Sequence, residues 1–302
     1  MSFNTPSYQN PWAGMQLADN DADVGILGVP WDNAASYRRG AAEAPANLRR
    51  CIACADPFSE EGIPLTLSLC DYGDVPRDLD WARFFANVTA RAKVALGHRF
   101  TLFLGGDHSV SIPLMQAMSE SVTEPFGVLH IDAHADLEES YEGSPWSHAC
   151  TARRALDLPN VRSDGYVFVG LRAPIDEDMH FLRDHPEIQV HPMRAIIQRG
   201  IPAVAADVIA YLRRFPQVYI TWDVDSLDPA YAPGTGTPNA GGLTTRELLA
   251  FFRTVVPALP VRALDVVEIA PPLDHADMTT WAAIKIIMET LSMVQAKGVA
   301  AT

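Results

Sequence analysis

Three short segments of the 302-residue chain carry acidic and imidazole side chains directly after strand-forming residues. The first holds Asp132, His134 and Asp136 in the sequence GVLHIDAHAD. Because side chains alternate along an extended strand, residues two apart share a face, and these three are predicted to point the same way. Converging ionisable groups at the end of an apolar strand need a neutralising partner. A divalent metal ion is the simplest one.

Two further segments supply ligands of the same kind. Asp223 and Asp225 end the β-rich stretch QVYITWDVD, and His108 follows TLFLGGD. The four aspartates among these six residues carry four negative charges, which two divalent ions would balance. Two ions about 3.5–4 Å apart can hold an activated water near neutral pH. Oxygen-rich ligation with two imidazoles favours Mn²⁺, with Ni²⁺, Co²⁺ or Zn²⁺ as alternatives.

Composition narrows the class of partner. The net charge of −14 makes nucleic acid and acidic membrane surfaces poor partners and would attract a cationic substrate. The sequence shows no membrane-spanning stretch and no signal peptide. We therefore expect a cytoplasmic protein whose four cysteines are reduced thiols.

Strand-like and helix-like segments alternate along the whole sequence. This alternation predicts an α/β fold: a single-domain three-layer αβα arrangement around a parallel sheet. An N-terminal arm is expected over residues 1–22 and one catalytic domain over 23–302. In such sheets, ligands bind beyond the carboxyl ends of the strands, where the candidate residues fall. The predicted strands are 23–29, 65–71, 101–104, 126–131, 166–171, 188–191, 217–222 and 263–269.

The motifs LGGDHSV, HIDAHAD and WDVDSLDPAYAPGTGTPNAGGLT closely resemble those of the ureohydrolases, the arginase and agmatinase family. The resemblance runs from about Gly25 to the last helix, with the three motifs in the family order and spacing. It implies an arginase-like fold and a metal-dependent amidinohydrolase that cleaves a guanidino compound to urea and an amine. It also implies two metal sites that share Asp132 and Asp223. One site would comprise His108, Asp132, Asp136 and Asp223, and the other His134, Asp132, Asp223 and Asp225.

Three residues acquire further roles from the same resemblance. Glu268, at the end of ALDVVEI, matches the glutamate that binds the guanidinium group. His148, in SPWSHAC, matches the family's proton-shuttle histidine and would also contact the substrate. Asp136 would take the proton from the attacking water and pass it to the leaving amine.

The substrate is less constrained than the reaction. The segments DPAYAPGTGTP and DVVEIAPPLDHADMT look more like agmatinase than arginase, which favours an agmatine-like substrate. However, GVPWDNAASYRRG and the loop LEESYEGSPW depart from the usual family forms. A guanidino acid, guanidine itself or an alkylated guanidine therefore remain alternatives. The loop residues that could decide between them are Glu138, Glu139 and Glu142 for an ammonium group, Trp31, Tyr37 and Trp146 for an alkyl group, and Arg38 or Arg39 for a carboxylate.

Two alternatives concern the class of protein. The chain could be a non-catalytic partner subunit of a ureohydrolase hetero-oligomer, although its ligand set is complete. It could also be a dinuclear hydrolase of an amide or phosphoester, although Glu268 would repel a phosphate. The family resemblance implies a homo-oligomer, either a trimer or a hexamer.

Overall fold

The computed structural model describes the backbone of residues 10–300 and the side chains of residues 10–298. The strands in that range are β1 (Val24–Gly28), β2 (Leu69–Asp74), β3 (Phe100–Leu104), β4 (Phe126–Ile131), β5 (Val161–Val169), β6 (Gln189–His191), β7 (Val218–Asp223) and β8 (Val261–Val267). They form one sheet of eight, in the order β2-β1-β3-β8-β7-β4-β5-β6. Every neighbouring pair is parallel, which confirms the predicted α/β class.

Helices cover both faces of this sheet and complete the three layers. The α-helices of the described chain are α1 (Ala44–Ile52), α2 (Trp81–Ala95), α3 (Ser111–Ser121), α4 (Thr151–Leu156), α5 (Asp176–Asp184), α6 (Met193–Arg199), α7 (Ile201–Leu212), α8 (Thr245–Ala258) and α9 (Met278–Ala300). Helices α2, α3 and α4 pack on one face of the sheet, and α1, α9, α8, α7 and α6 pack in succession on the other.

The central strands are largely apolar because both of their faces are covered. In β3, Leu102 and Leu104 belong to one hydrophobic core, whereas Phe103 between them belongs to the other. Every residue of β1, β3, β4 and β7 is buried. A parallel sheet with two covered faces is expected to show such continuous apolar runs instead of alternating polar residues.

Three elements differ from the sequence-based expectation. Strand β2 begins at Leu69, because pairing with β1 starts where Leu69 lies opposite Val24; the preceding leucines are buried without pairing. Strand β5 reaches back through a polar RSDG segment that has no strand periodicity. Helix α6 was not predicted, although Pro192 before it and Gly200 after it, at φ 79°, mark its ends.

The N-terminal part of the described chain lies against β2. Trp12 is fully buried, and its indole nitrogen donates a hydrogen bond of 2.8 Å to Asp71. The first nine residues lie outside the described range, so the division into an arm and a catalytic domain stays a prediction. None of the individual helices in residues 10–300 has the length and apolarity to cross a membrane. One pair, Met193–Arg199 and Ile201–Leu212, passes that test jointly, with a bend of 114° between them.

Candidate metal centre

The predicted ligands meet at the carboxyl edge of four neighbouring strands. Strands β3, β8, β7 and β4 are adjacent in the sheet. His108 opens the 3-10 turn His108–Val110 after β3, and Glu268 directly follows β8. Asp223 ends β7, and Asp132 directly follows β4. Parallel strands all end at the same edge, so residues that are distant in sequence converge there.

His108 lies at the centre of a ring of carboxylates. Its Nδ1 atom is 3.0 Å from Asp132 Oδ2, 3.1 Å from Asp136 Oδ2 and 3.3 Å from Asp223 Oδ2. The His108 side chain is only 1% exposed. The imidazole of His108 is therefore shielded from solvent.

The hydrogen bonds of His108 show that this cluster fits a metal ion. Thr221 Oγ1 lies 2.7 Å from Asp265 Oδ1 and donates its hydrogen to that carboxylate. The same Oγ1 atom is 2.8 Å from His108 Nε2, so it accepts the Nε2 hydrogen, and Nδ1 is the ring nitrogen that faces the three carboxylates. Burial opposes the charge on His108, but Asp132, Asp136 and Asp223 raise the pKa of His108 well above its usual value. The three carboxylates thus attract positive charge to this position, and a divalent cation ligated by Nδ1 would supply it.

A second cluster shares one residue with the first. His134 Nδ1 is 3.0 Å from Asp225 Oδ2 and 3.5 Å from Asp132 Oδ1. Asp132 thus presents one carboxylate oxygen to each imidazole. Burial, together with repulsion from Asp225 and Asp132, raises the pKa of Asp223 well above its usual value. The carboxylates are packed more densely than their own side-chain partners can neutralise, which again suits added positive charge.

Turns produce the convergence, so the strand-alternation argument for Asp132, His134 and Asp136 is wrong in detail. Strand β4 ends at Ile131. Beyond it, the His134 amide donates a hydrogen bond of 2.7 Å to Asp132 Oδ1, and the backbone of Asp136 adopts φ 53°. After β7, the Asp225 amide likewise donates a hydrogen bond of 2.8 Å to Asp223 Oδ1. Aspartate is well suited to such turns because its short side chain bonds to the backbone two residues on.

Glu268 and His148 form a buried pair beside the clusters. Glu268 Oε1 accepts hydrogen bonds from the His108 amide at 2.8 Å and from His148 Nδ1 at 2.9 Å. His148 Nε2 accepts one from the Ser36 amide at 3.0 Å, which leaves Nδ1 to carry the hydrogen. Burial opposes the charge on Glu268, but the bond from His148 lowers the pKa of Glu268 below its usual value. Glu268 also adopts φ 63°, a strained conformation of the kind that clusters at functional sites.

Comparisons with known proteins agree with this geometry. The sequence profile of the Arginase family matches residues 22–292. Agmatinase from Bacillus anthracis is 33% identical over 286 residues, covering 90% of this chain and 91% of that protein. This chain belongs to the arginase family. It is a metal-dependent ureohydrolase, as the sequence motifs predicted.

Other relatives of this ureohydrolase have different names. Guanidinobutyrase from Pseudomonas aeruginosa is 31% identical, covering 96% of this chain and 90% of that protein. The solved structure of proclavaminate amidino hydrolase from Streptomyces clavuligerus superposes with a TM-score of 0.88 at 27% identity. That match covers 95% of this chain and 97% of the other. This chain is thus similar to proteins that are named for different compounds.

Several polar residues around the ligands were not predicted from the sequence. His130 lies two residues before Asp132, and Thr221 lies two residues before Asp223. Alternation along the strand would have identified both. Asp265 lies opposite Thr221 in the register of β7 and β8. Arg172 could not have been found by spacing: its guanidinium group donates to the Asp225 carbonyl at 2.6 Å and to the Asn239 carbonyl at 2.6 Å.

A small cavity of about 130 Å³ opens beside the ligands of the ureohydrolase. Its described lining contains no lysine or arginine, but it contains four carboxylates: Asp136, Glu138, Asp178 and Asp223. Ala149, Ala173 and Ile175 supply its apolar wall. The aromatic residues proposed from the sequence lie elsewhere. Trp31 is buried on Phe84, whereas Tyr37 is 74% exposed; neither they nor Trp146 belong to the lining.

Proposed function

We propose that this ureohydrolase uses two divalent ions to hydrolyse a small cationic guanidino compound, agmatine-like in character, to urea and an amine. The observation that carries the proposal is the pair of imidazoles on opposite oxygens of Asp132. His108 Nδ1 faces Oδ2 of that carboxylate and His134 Nδ1 faces Oδ1. A carboxylate placed in this way suits a bridge between two ions.

The ligand sets follow from the two clusters. One group comprises His108, His130, Asp132 and Asp136, in which His130 Nε2 bonds to Asp132 Oδ2, and the other comprises Asp132, His134 and Asp225. Asp223 Oδ2 is 3.3 Å from His108 Nδ1, while its Oδ1 atom faces the Asp225 amide, so Asp223 suits a second bridging role. We assign His108, Asp132, Asp136 and Asp223 to one ion and His134, Asp132, Asp223 and Asp225 to the other. This oxygen-rich set with one imidazole per ion favours Mn²⁺, with Ni²⁺ as the alternative.

The protein groups around the ions have separate tasks. When bound, a pair of divalent ions would lower the pKa of a water molecule enough for it to lose a proton near neutral pH and become a nucleophile. Glu268 Oε1 is already bonded to His108 and His148, so its other oxygen is the one available to the guanidinium cation. Asp136 lines the cavity and is placed to take a proton and return it to the leaving amine. His148 is held between Glu268 and Ser36 at the same cavity, where it can contact the substrate and assist that transfer.

The charge of the cavity supports a cationic substrate over a guanidino acid. Of the three glutamates proposed from the sequence, Glu138 lines the cavity, whereas Glu139 and Glu142 do not. Glu139 forms salt bridges with Arg153 and Arg154. Burial and the neighbouring Glu177 carboxylate raise the pKa of Glu138, which reflects concentrated negative charge. Such a mouth would repel a substrate carboxylate and attract an ammonium group.

The two arginines that could have bound a substrate carboxylate, Arg38 and Arg39, contact other groups of the protein. Arg38 Nε donates to the Gly236 carbonyl at 3.4 Å, and its guanidinium group stacks on Tyr37. Arg39 donates to Asn33 at 3.2 Å. Neither arginine belongs to the cavity lining. This arrangement supports agmatine ahead of guanidinobutyrate or other guanidino acids.

A urea-release screen tests the proposal. Purified protein loaded with Mn²⁺ or Ni²⁺ is assayed with agmatine, arginine, guanidinobutyrate, guanidine and methylated guanidines. We expect urea from agmatine and little from the acids, and Glu268→Gln should lose most of this activity while retaining its metal. Urea from guanidinobutyrate alone would overturn the proposed substrate charge. Urea from none of them, with the ions bound, would favour the non-catalytic partner subunit.

Assembly is a separate prediction. The family resemblance implies a homo-oligomer of three or six chains, and a hetero-oligomer with a related subunit is the alternative. The mass of the purified protein by light scattering, measured with and without metal, distinguishes these states.

A further inference from the structure

A buried chain of hydrogen bonds leads from Tyr166 through His130 to Asp132. Tyr166 OH is 2.9 Å from His130 Nδ1, and His130 Nε2 is 3.0 Å from Asp132 Oδ2. All three residues are completely buried. None of the roles assigned above uses Tyr166 or His130, although Asp132 is one of the two carboxylates that both ions would share.

The direction of these hydrogen bonds follows from the groups present. Within the described residues, the Tyr166 hydroxyl bonds only to His130 Nδ1, and a buried phenol needs an acceptor for its hydrogen. If Tyr166 donates to Nδ1, then His130 is protonated at Nε2 and donates to Asp132 Oδ2. The opposite tautomer would place an imidazole lone pair against a carboxylate oxygen and leave the phenol hydrogen without an acceptor. Only the first arrangement satisfies every group.

We propose that His130 and Tyr166 are positioning residues that fix the orientation of the shared carboxylate Asp132. The proposal rests on the two-ion centre proposed above. Asp132 Oδ2 faces His108 Nδ1 as well as His130 Nε2, each at 3.0 Å. The His134 amide holds the other oxygen at 2.7 Å. With a donor on each side, the carboxylate cannot rotate away from the line between the two imidazoles.

These hydrogen bonds orient the Asp132 carboxylate without neutralising its charge. A neutral N–H donor leaves Asp132 ionised and able to ligate, whereas a lysine or arginine would compete with the ions for it. Outer partners of this kind are worth about 10–100-fold in metal affinity or activity in other metal sites. Tyr166 acts one step further out, by fixing which nitrogen of His130 carries the hydrogen. Its loss should therefore cost less than the loss of His130.

Three substitutions separate the parts of this chain. His130→Leu removes the donor, His130→Gln restores an amide N–H near the position of Nε2, and Tyr166→Phe removes only the outer hydroxyl. Tyr72→Phe is the matched control. Tyr72 OH makes a similar hydrogen bond of 2.7 Å to His98 Nε2, but that histidine bonds to the Ala22 carbonyl and does not contact the metal centre.

The readout is Mn²⁺ affinity in competition with a chromophoric chelator, accompanied by circular dichroism of the metal-free protein and by kcat and KM. We expect His130→Leu to weaken Mn²⁺ binding by about 10–100-fold. His130→Gln should recover most of it, Tyr166→Phe should show a smaller loss, and Tyr72→Phe should match the wild type. With saturating Mn²⁺, kcat should fall while KM stays, because Asp132 does not contact the substrate.

Two results would overturn the inference. One is a folded His130→Leu protein that binds Mn²⁺ as tightly as the wild type. If His130→Leu does not fold, the other is equal Mn²⁺ affinity of Tyr166→Phe and Tyr72→Phe. Failure of the proposed function looks different: the wild type would then release no urea from any guanidino compound, whatever the variants do to Mn²⁺ affinity.

Discussion

The two halves of the candidate metal centre differ in the burial of their imidazoles. The His108 half contains His108, Asp136 and Oδ2 of Asp132; the His134 half contains His134, Asp225 and Oδ1 of Asp132. The side chain of His108 is 1% exposed and that of His134 is 29% exposed. His108 Nε2 is bonded to Thr221. Among the described residues, none bonds to the second ring nitrogen of His134.

This difference indicates that the two halves do different work. A buried ligand with its tautomer fixed is already oriented for an ion, so less free energy is lost when the ion binds. In the His134 half the imidazole itself lines the cavity, whereas in the His108 half only Asp136 does. We therefore expect the ion of the His108 half to be held more tightly and that of the His134 half to exchange first.

Asp136 tests the link between the two halves, because it belongs to the His108 half and also lines the cavity. Asp136→Asn should lower kcat by about 10²–10⁴-fold, the range for removing a proton-transfer group, while the fold survives. The measurement is steady-state urea release with circular dichroism. Asp184→Asn, on the exposed end of α5, should be unaffected. Normal turnover by Asp136→Asn with its ions bound would refute the role.

The comparison itself is tested by replacing each imidazole ligand in turn. His108→Asn should lose more bound metal and more thermal stability than His134→Asn, because a buried carboxylate ring loses its central partner. Ions per chain after dialysis against a chelator, and melting temperatures with and without Mn²⁺, measure both effects. Equal losses in the two variants would mean that burial does not rank the halves.

Thr221 tests why the His108 half is the tighter one. Thr221→Val removes the acceptor of the His108 Nε2 hydrogen, so His108 is no longer held in one tautomer. We expect Mn²⁺ affinity to fall by about 10–100-fold. Thr235→Val is the matched change, since the Thr235 hydroxyl is buried and has no hydrogen-bond partner among the residues that the structure describes. Comparable affinities in the two variants would argue against a role for tautomer control.

The sequence predicted which residues converge better than how they converge. All six candidate ligands and Glu268 lie near one another at one edge of the sheet. This convergence is expected because the alternation of strands and helices predicts a parallel sheet whose carboxyl ends share one edge. The local reason was wrong for Asp136, which reaches the cluster through a turn at φ 53° after β4 has ended. A dipeptide pattern does not reveal where a strand stops pairing.

The residues behind the ligands were harder to predict for a different reason. Asp265 is recognisable only once β8 is known to lie between β3 and β7, far from its place in chain order. Arg172 bonds to backbone carbonyls of a distant loop, and such acceptors have no sequence signature. Ser36 reaches His148 across 112 positions of sequence. These contacts depend on the tertiary arrangement, which no local pattern encodes.

The smallest expected effect concerns the exposed side of the comparison, at Glu138. If the cavity recognises an ammonium group, Glu138→Gln should raise KM for agmatine and leave kcat nearly unchanged. The rise should be about 1.4-fold to fivefold, because a partly exposed ion pair contributes about 0.2–1 kcal/mol. Glu142→Gln, on an exposed turn outside the cavity lining, should leave KM unaltered. The increase should shrink in high salt, because screening weakens the attraction that the substitution removes. An equal KM for the two variants at low salt would move recognition of the distal group away from Glu138.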